Sequence, residues 1–349
     1  MIITTKTFAR AGLIGNPSDG YFGKTISFTV RNFASKVVLY ESPFLEIKLH
    51  KNDKLSFSSI DELTDDIKYS GYYGGIRLIK ATIKVFYEYC QEHNINFEHK
   101  NFTISYDSNI PMRVGLAGSS AIVTSVMKAL MEFYNVNIPK DILPNIILSV
   151  EKDELKIGAG LQDRVIQVFE DIVFMDFNKD YMKEHGFGDY EKLNIDKNNL
   201  PKFYIAYSED LSEGTEVFHN NIRERYERGE KQVLDAMQEF AHITEEFKKA
   251  LLKNDLTLLN TLINRNFDLR ASIYKISKKN LDLIHTARHL GASSKFCGSG
   301  GAIVGIYNSD EQFENMRKAF KKLNASIIKP QIFEDEKSNL INWKAASNN

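Results

Sequence analysis

The sequence predicts an α+β fold in two domains. The chain has 349 residues, which is longer than most single compact cores. Runs of strand-like and helix-like sequence follow one another without regular β-α alternation, and this favours α+β over a doubly wound sheet. The segment 178–200 is polar and aperiodic. We therefore predict an N-terminal domain over 1–198, a C-terminal domain over 199–333 and a polar tail over 334–349.

The elements of the first half can be predicted from the spacing of apolar residues. Three β-rich runs, TISFTV, KVVLY and LEIKLH, predict strands near the start. Apolar residues recur at helical spacing over 76–90 and again over 122–133, and each stretch predicts an amphipathic helix. Between them NFTISY alternates as a strand. Residues 140–152 predict a further helix, and DIVFMDF predicts the strand that closes this half.

The second half begins with a predicted strand, KFYIAY. Long helical stretches follow over 231–290. GAIVGIY predicts another strand, residues 310–323 a helix, and ASIIKPQIF the last strand.

Composition excludes several classes of function. Hydrophobic residues make up 43% and charged residues 26%, and the formal net charge is −1, so no basic field attracts nucleic acid or an anionic membrane. The start shows no secretory pattern, and no apolar run of about 18 residues occurs. The two cysteines, Cys90 and Cys297, have no metal-ligand or redox spacing. We expect a cytoplasmic protein, either monomer or homodimer, whose anion sites are local.

One glycine-rich loop predicts a phosphate site. In PMRVGLAGSSA, we expect Gly115 and Gly118 to take positive φ and to let backbone N–H groups converge. We expect Ser119 and Ser120 to cap the helix that follows. A helix N-terminus binds anions, and a serine hydroxyl there is able to ligate Mg²⁺.

Two other glycine-rich stretches fail the nucleotide motifs that they resemble. GNPSDGYFGKT ends like a Walker A loop, but Ser18 stands where that loop needs its first glycine, and no clear buried strand run precedes it. KFCGSGGAIVG fails the dinucleotide fingerprint, because Ile303 stands at its third glycine and the loop precedes a strand.

Two carboxylates complete a candidate site for phosphoryl transfer. Glu151 lies near the end of a predicted helix, and Asp163 follows the turn Gly158-Ala159-Gly160. Phosphoryl transfer needs bound phosphates, an aligned hydroxyl and a carboxylate near it. Spacing alone leaves open whether the two acids meet.

Three motifs in this order resemble those of the GHMP kinases, a family of small-molecule kinases. FARAGLIGNPSDGYFG resembles the first motif, which lines the acceptor pocket, PMRVGLAGSSA the phosphate loop, and KFCGSGGA the third motif. RAGLIGNPSD, SGYYGGIRL, GLAGSSAIV, AGLQDRVIQV and KFCGSGGA further resemble the glucuronokinase branch. The resemblance covers about residues 8–330 and implies a two-domain α+β kinase with its active site in the interdomain cleft.

The resemblance also implies roles for individual residues. Asp163 would lie beside the attacking hydroxyl, and Arg10 would neutralise developing charge. Ser120 and Glu151 would ligate Mg²⁺. The ATP phosphates would be wrapped by Gly115, Leu116, Ala117, Gly118 and Ser119. Many members have glycine where Ala117 stands, and we expect little consequence because the residue is still small. The acceptor would be held by Asn16 and Asp19, with Gly300 of the third motif also at the substrate.

The acceptor implied by the resemblance is a uronic acid, whose carboxylate needs a basic partner when it is buried. Lys24 and Arg77 are the first choices, and Arg113 and Arg164 are alternatives. Two other functions stay open. One is a GHMP kinase for a neutral sugar, a heptose phosphate or a mevalonate-like acid. The other is a non-catalytic sensor, although the joint presence of Asp163, Glu151, Ser120 and Arg10 argues against it.

Overall fold

The structure is a computed structural model that describes residues 1–50, 58–64, 74–98, 100–209 and 216–334. For residues 216–221 it describes the backbone and not the side chains. The motif tyrosines Tyr72 and Tyr73, and the predicted tail beyond Glu334, lie outside the described residues. Within the described residues, no helix is both long enough and apolar enough to cross a membrane.

The first sheet is built around one long strand. Its strands are β1 (Ile2–Ile14), β2 (Lys24–Glu41), β3 (Glu46–Ile47), β4 (Phe102–Ser108), β5 (Ile172–Asp176) and β6 (Asp189–Lys192). The order is β3-β4-β2-β5-β6, and β1 pairs with β2. Strand β2 pairs with β1 along most of its length, and its other edge pairs with β5 near the start and with β4 near the end. Among the strand pairs that the structure describes in this sheet, only β3–β4 is parallel.

The first half also contains helices α1 (Gly75–Glu92), α2 (Gly118–Phe133), α3 (Leu143–Ser149), α4 (Leu161–Phe169) and α5 (Lys179–His185). A π-helical turn, Val150–Glu154, continues α3. Helices α1 and α2 bury an apolar face against the sheet, where Phe86 and Leu130 share a core with Ile104 of β4. This packing places the N-terminus of α2 beside the end of β1.

The second sheet follows in sequence. Its strands are β7 (Phe203–Ser208), β8 (Lys295–Phe296), β9 (Ala302–Ile306) and β10 (Ala325–Ile328), in the antiparallel order β10-β7-β9-β8. The helices of this half are α6 (Glu216–Glu227), α7 (Lys231–Lys253), α8 (Leu256–Ile273), α9 (Lys278–His289) and α10 (Asp310–Lys322).

The two sheets share one hydrophobic core. Phe28 of β2 stacks on Phe203 of β7, with ring centroids 5.4 Å apart, and both belong to a buried cluster that also contains Ile243 of α7 and Val304 of β9. The predicted boundary at residue 198 falls between β6 and β7. The division into two domains stays a prediction, and the halves are held together by apolar packing.

Several predicted elements differ from the structure. TISFTV and KVVLY form the single strand β2, and within LEIKLH only Glu46–Ile47 is a strand. The segment 178–200 contains α5 and β6 as well as loops. Strand β1, which directly precedes GNPSDGYFGKT, was missed. Its second half is buried on both faces, so it lacks the alternation that predicts a half-exposed strand.

Candidate active site

Arg10 is the point where the three glycine-rich motifs meet. It lies on β1 and is 5% exposed. Its Nη1 donates to the carbonyl of Gly115 in the phosphate loop at 2.6 Å and to that of Cys297 in the third motif at 3.2 Å. Its backbone N–H donates to the carbonyl of Leu116 at 3.3 Å. One side chain therefore ties the first motif to both of the others.

Arg10 also holds Asp163, which lies in the first turn of α4. The guanidinium contacts one carboxylate oxygen twice, with Nε at 2.7 Å and Nη2 at 2.6 Å from Oδ1. The other oxygen, Oδ2, has a longer contact of 3.4 Å to Nη1 of Arg164. The Asp163 side chain keeps 23% of its surface exposed. Oδ2 is thus the oxygen more available to a hydroxyl group in the pocket.

Arg164 and Glu151 form a buried ion pair behind Asp163. Their side chains are 3% and 1% exposed, and Arg164 also donates to the carbonyl of Gly160 at 2.9 Å. Burial lowers the pKa of Arg164, while Glu151 and Asp163 raise it, and the net shift is upward. Arg164 is therefore charged and fixed. The predicted metal ligand Glu151 has a guanidinium partner, which sequence spacing did not indicate.

The phosphate loop departs from prediction in its backbone. Gly115 has positive φ, at 72°, as expected, but the other positive-φ residues of the loop are Arg113, at 57°, and Ala117, at 63°, and not Gly118. Ala117 is the N-cap residue of α2, and no side chain caps the helix, so the predicted serine cap is wrong. Ser119 is exposed, whereas Ser120 is buried and donates weakly to the Ala117 carbonyl at 3.2 Å. The first-turn N–H groups of α2 remain available to an anion.

The third motif packs directly on the phosphate loop. A Cβ on Gly298 would lie 2.5 Å from the carbonyl oxygen of Gly115, and a Cβ on Gly115 would lie 3.0 Å from that of Gly300. Arg270 of α8 supports the motif from behind, because its Nη1 and Nη2 donate to the carbonyls of Gly298 at 2.8 Å and Ser299 at 3.2 Å. Glycine is required where the two loops touch.

The first motif, FARAGLIGNPSDGYFG, is called the acceptor motif from here on, and buried polar groups hold it in place. Lys295 is 1% exposed, and its Nζ donates to the carbonyls of Gly12 and Phe296, each at 2.7 Å, and to Oδ1 of Asn16 at 2.6 Å. Burial lowers its pKa, but three acceptors need the three N–H bonds of an ammonium group, so we assign the charged form. Asn266 of α8 accepts from the N–H of Gly15 at 2.7 Å.

Asp19 lies next to Asp163. Its pKa is raised to about 6 by burial and by the negative charge of Asp163, while Arg10 and the backbone N–H groups of Gln162 and Gly20 oppose the shift. A second carboxylate therefore lies at the start of α4, the helix that carries Asp163. An acid with this pKa changes its charge in the range in which the protein would be assayed.

The two first-choice basic residues lie in different surroundings. Lys24 pairs with Asp176 at 3.0 Å and with Glu245. Burial lowers the pKa of Lys24, the two carboxylates raise it, and the net shift is upward. Arg77 is exposed and donates to the carbonyl of Leu155 at 3.1 Å. Their contact with a sugar carboxylate stays a prediction. Lys24 is the first residue of strand β2 and does not begin a helix, so GNPSDGYFGKT is not a Walker A loop.

Sequence reasoning missed the groups that support the motifs. Lys295 is part of the third motif, and nothing in the sequence around it indicates that this lysine is buried. Asn266 and Arg270 lie four residues apart and thus share one face of α8. This spacing was the one hint that the two side chains act together, but polar residues four apart are also common on solvent-facing helices.

Comparison with known proteins identifies the class. The GHMP kinases N terminal domain matches residues 77–171, and the GHMP kinases C terminal domain matches residues 247–325. Probable glucuronokinase 2 of Arabidopsis thaliana is 46% identical over 306 residues, which cover 86% of this chain and 82% of that protein. Glucuronokinase 1 of the same plant is 44% identical, with 86% and 84% covered. The chain belongs to the GHMP kinase family and is a small-molecule kinase.

A solved structure supports the fold. The crystal structure of Lactococcus lactis galactokinase complexed with galactose has a TM-score of 0.73 at 16% identity and covers 95% of this chain and 93% of that one. The predicted α+β kinase fold is thus confirmed, and GHMP kinases use ATP as the phosphate donor. The roles of individual site residues stay predictions.

Proposed function

We propose that this protein transfers the γ-phosphate of ATP to the anomeric hydroxyl of a uronic acid, with D-glucuronate as the acceptor and glucuronate 1-phosphate as the product. Two glucuronokinases at 46% and 44% identity support this acceptor. The observation that carries the proposal is the position of Arg10, which joins Asp163 to the phosphate loop and the third motif.

The phosphate loop supplies the donor site in this proposal. The backbone N–H groups of residues 115–120 and the N-terminus of α2 surround the ATP phosphates, and they need no side-chain charge to do so. Gln167 of α4 donates to the Ala117 carbonyl at 2.9 Å and fixes the loop against the helix that carries Asp163. Donor and acceptor sites are therefore aligned by one helix.

Asp163 and Arg10 act on the reacting groups. Oδ2 of Asp163 orients the acceptor hydroxyl and takes its proton, and Arg10 holds Oδ1 so that the carboxylate does not rotate. Phosphoryl transfer proceeds through a loose transition state, in which alignment and charge stabilisation dominate. Arg10 contributes positive charge at that point without moving.

Mg²⁺ fits this site by donor type. Ser120 and Glu151 offer a hydroxyl and a carboxylate, the hard oxygen ligands that Mg²⁺ prefers. No group of three or more histidine, cysteine or acidic side chains that suits a metal occurs in the described ranges. We propose that these two residues hold the ion together with phosphate oxygens, with Arg164 sharing Glu151. The ion neutralises phosphate charge when it is bound.

We propose a cytoplasmic enzyme that acts on a small sugar acid, as a monomer or homodimer, without nucleic-acid or membrane partners. The near-neutral net charge supports this proposal, because neither polyanion would be attracted over the whole surface.

An acceptor screen tests the function. The purified protein is assayed with Mg-ATP and D-glucuronate, D-galacturonate, glucose, galactose, a heptose phosphate and mevalonate. We expect kcat/KM for glucuronate well above that for any neutral sugar. Turnover of neutral hexoses or mevalonate without turnover of either uronic acid would reassign the acceptor, and ATP binding without any turnover would indicate a sensor.

Asp163→Asn tests the catalytic role. The amide keeps the shape but cannot accept the proton, so we expect kcat to fall by at least about 100-fold while ATP and glucuronate still bind. Calorimetry measures binding and a coupled assay measures turnover. Near-normal kcat in this variant would remove Asp163 from the reaction.

A further inference from the structure

Most cations around the acceptor pocket already have partners. Arg10 is paired with Asp163, Arg164 with Glu151, and Lys24 with two carboxylates. Lys295 and Arg270 donate to buried oxygens. Using any of these for an acceptor carboxylate would break a contact that supports the site.

Arg223 of α6 is different. Its side chain is exposed, and its guanidinium carbon lies 5.7 Å from the centre of the Tyr21 ring. Its Nη2 lies 3.7 Å from the position of a Cβ on Gly20. Within the part of the chain that the structure describes, Arg223 has no ion pair with a carboxylate. It is therefore a cation beside the acceptor motif whose charge is not compensated there.

The helix that carries Arg223 is fixed against the acceptor motif. Ile222 is buried in a cluster with Tyr21 and Phe240, and the rings of Tyr21 and Tyr226 lie 4.8 Å apart. Arg225 ties the end of α6 to the residues that follow it, because its Nε donates to Oε2 of Glu230 at 2.8 Å. Arg223 thus projects from a packed helix at a defined place.

A second group near this place lacks a partner. Tyr274 is 8% exposed, and its buried hydroxyl has no hydrogen-bond partner among the described residues. It belongs to the same buried cluster as Tyr21 and Ile222. A buried hydroxyl without a partner is costly.

We propose that Arg223 binds the carboxylate of the acceptor and sets the preference for an acidic sugar. This inference rests on the proposed function. In the pyranose ring of a hexuronic acid, C5 carries the carboxylate and flanks the ring oxygen together with the anomeric carbon, so the carboxylate and the anomeric hydroxyl lie along the same edge of the ring. The short helix Ser18–Tyr21 lies beside both groups, because the charge of Asp163 acts on Asp19, while Nη2 of Arg223 lies 3.7 Å from the position of a Cβ on Gly20 and the Arg223 guanidinium lies over the Tyr21 ring. In this proposal a sugar held against residues 19–21 presents its anomeric hydroxyl to Asp163 and its carboxylate to Arg223.

Charge explains why a cation is needed at this end. Asp163 and Asp19 place two carboxylates close together here, and Arg10 is already engaged by Asp163. A third carboxylate, from the acceptor, is repelled unless a free guanidinium receives it. Arginine binds a carboxylate with two parallel hydrogen bonds, which also orients the ring. Of the first choices from sequence, Lys24 pairs with Asp176 and Glu245, and Arg77 donates to the carbonyl of Leu155.

The test compares Arg223→Ala with the control Arg228→Ala, an exposed arginine just beyond α6. Steady-state kinetics are measured for D-glucuronate, for its neutral amide and for ATP. We expect Arg223→Ala to raise KM for glucuronate roughly 10- to 100-fold, with kcat, KM for ATP and the constants for the amide within about twofold. Arg223→Lys restores part of the affinity, and Arg228→Ala changes none of these constants.

Arg223→Gln removes the charge, keeps the Cβ–Cδ stem against Tyr21, and serves if the alanine variant unfolds at a lower temperature. A glucuronate-to-amide preference that is unchanged in Arg223→Ala and Arg223→Gln overturns the inference alone, with the acceptor still a uronic acid. A wild-type protein that phosphorylates neither uronic acid overturns the proposed function and this inference with it.

Discussion

At the scale of single residues, the backbone of Ala117 stands out. Its φ of 63° and ψ of 46° are left-handed, a conformation that costs a residue with a Cβ roughly 1–2 kcal/mol. The sequence suggested that alanine for glycine matters little here, since both are small. Size is not the relevant property, because the backbone angle is what favours glycine.

Ala117→Gly is therefore expected to stabilise the protein. Relief of strain exceeds the greater unfolded-state freedom of glycine, for a net gain of about 0.5–1 kcal/mol in the free energy of unfolding. Urea denaturation measures it. The matched control is Ala271→Gly on the exposed face of α8, which should cost about 1 kcal/mol. Equal destabilisation by both substitutions would show that Ala117 is not strained.

Asp19 predicts a pH dependence for acceptor binding. Its pKa of about 6 means that the carboxylate, the form that accepts hydrogen bonds from sugar hydroxyls, dominates only above that pH. We expect kcat/KM for the acceptor to rise between pH 5 and 7 with an apparent pKa near 6. The rise should be absent in Asp19→Asn, and persistence of the same profile in that variant would assign it to another group.

The same shift affects stability in the opposite direction. A carboxyl group whose pKa is raised by folding stabilises the folded state below its unfolded pKa, and that contribution is lost as the pH rises through about 6. Asp19 is only partly buried. The loss of folding stability is therefore smaller than the roughly 3 kcal/mol that two pKa units imply. Function and stability therefore place different demands on this residue.

At the scale of elements, the close contact between the third motif and the phosphate loop is the critical feature. Gly298→Ala places a methyl group 2.5 Å from the Gly115 carbonyl and 3.1 Å from Nη2 of Arg10, so the two loops must separate. We expect kcat/KM to fall on the order of 100-fold, since displacements of about 1 Å have such effects.

The control for Gly298→Ala is Gly158→Ala, because a Cβ on Gly158 meets nothing within 4 Å. Steady-state kinetics and thermal unfolding are measured for both variants. Activity should be lost only in Gly298→Ala. Full activity in that variant would mean that loop contact is not needed for catalysis.

Elements were predictable to different degrees. The amphipathic helices α1 and α2 follow directly from apolar spacing, because each has one buried face. Strand β1 was not predicted, since its second half is enclosed on both faces and contains small and charged residues. The prediction of a serine cap for α2 was wrong, because the N-cap residue is Ala117 in a left-handed conformation. Amino-acid composition does not indicate that conformation.

At the scale of the whole molecule, the site depends on contacts between residues that are distant in sequence. Arg10 reaches Gly115, Asp163 and Cys297, which are 105, 153 and 287 positions away. Local motifs predicted which loops carry the chemistry, and resemblance predicted their order. The supporting contacts of Lys295, Asn266 and Arg270 depend on how α8 and β8 pack against β1, and no local pattern indicates that packing.

The central claim is that this shared site phosphorylates the anomeric hydroxyl of a uronic acid. The most direct measurement is phosphorus and proton NMR of the product after incubation of the protein with Mg-ATP and D-glucuronate. We expect one sugar phosphate whose phosphorus couples to the anomeric proton, formed with one equivalent of ADP and not formed by Asp163→Asn. A phosphate on any other carbon, or ADP release without a sugar phosphate, would contradict it.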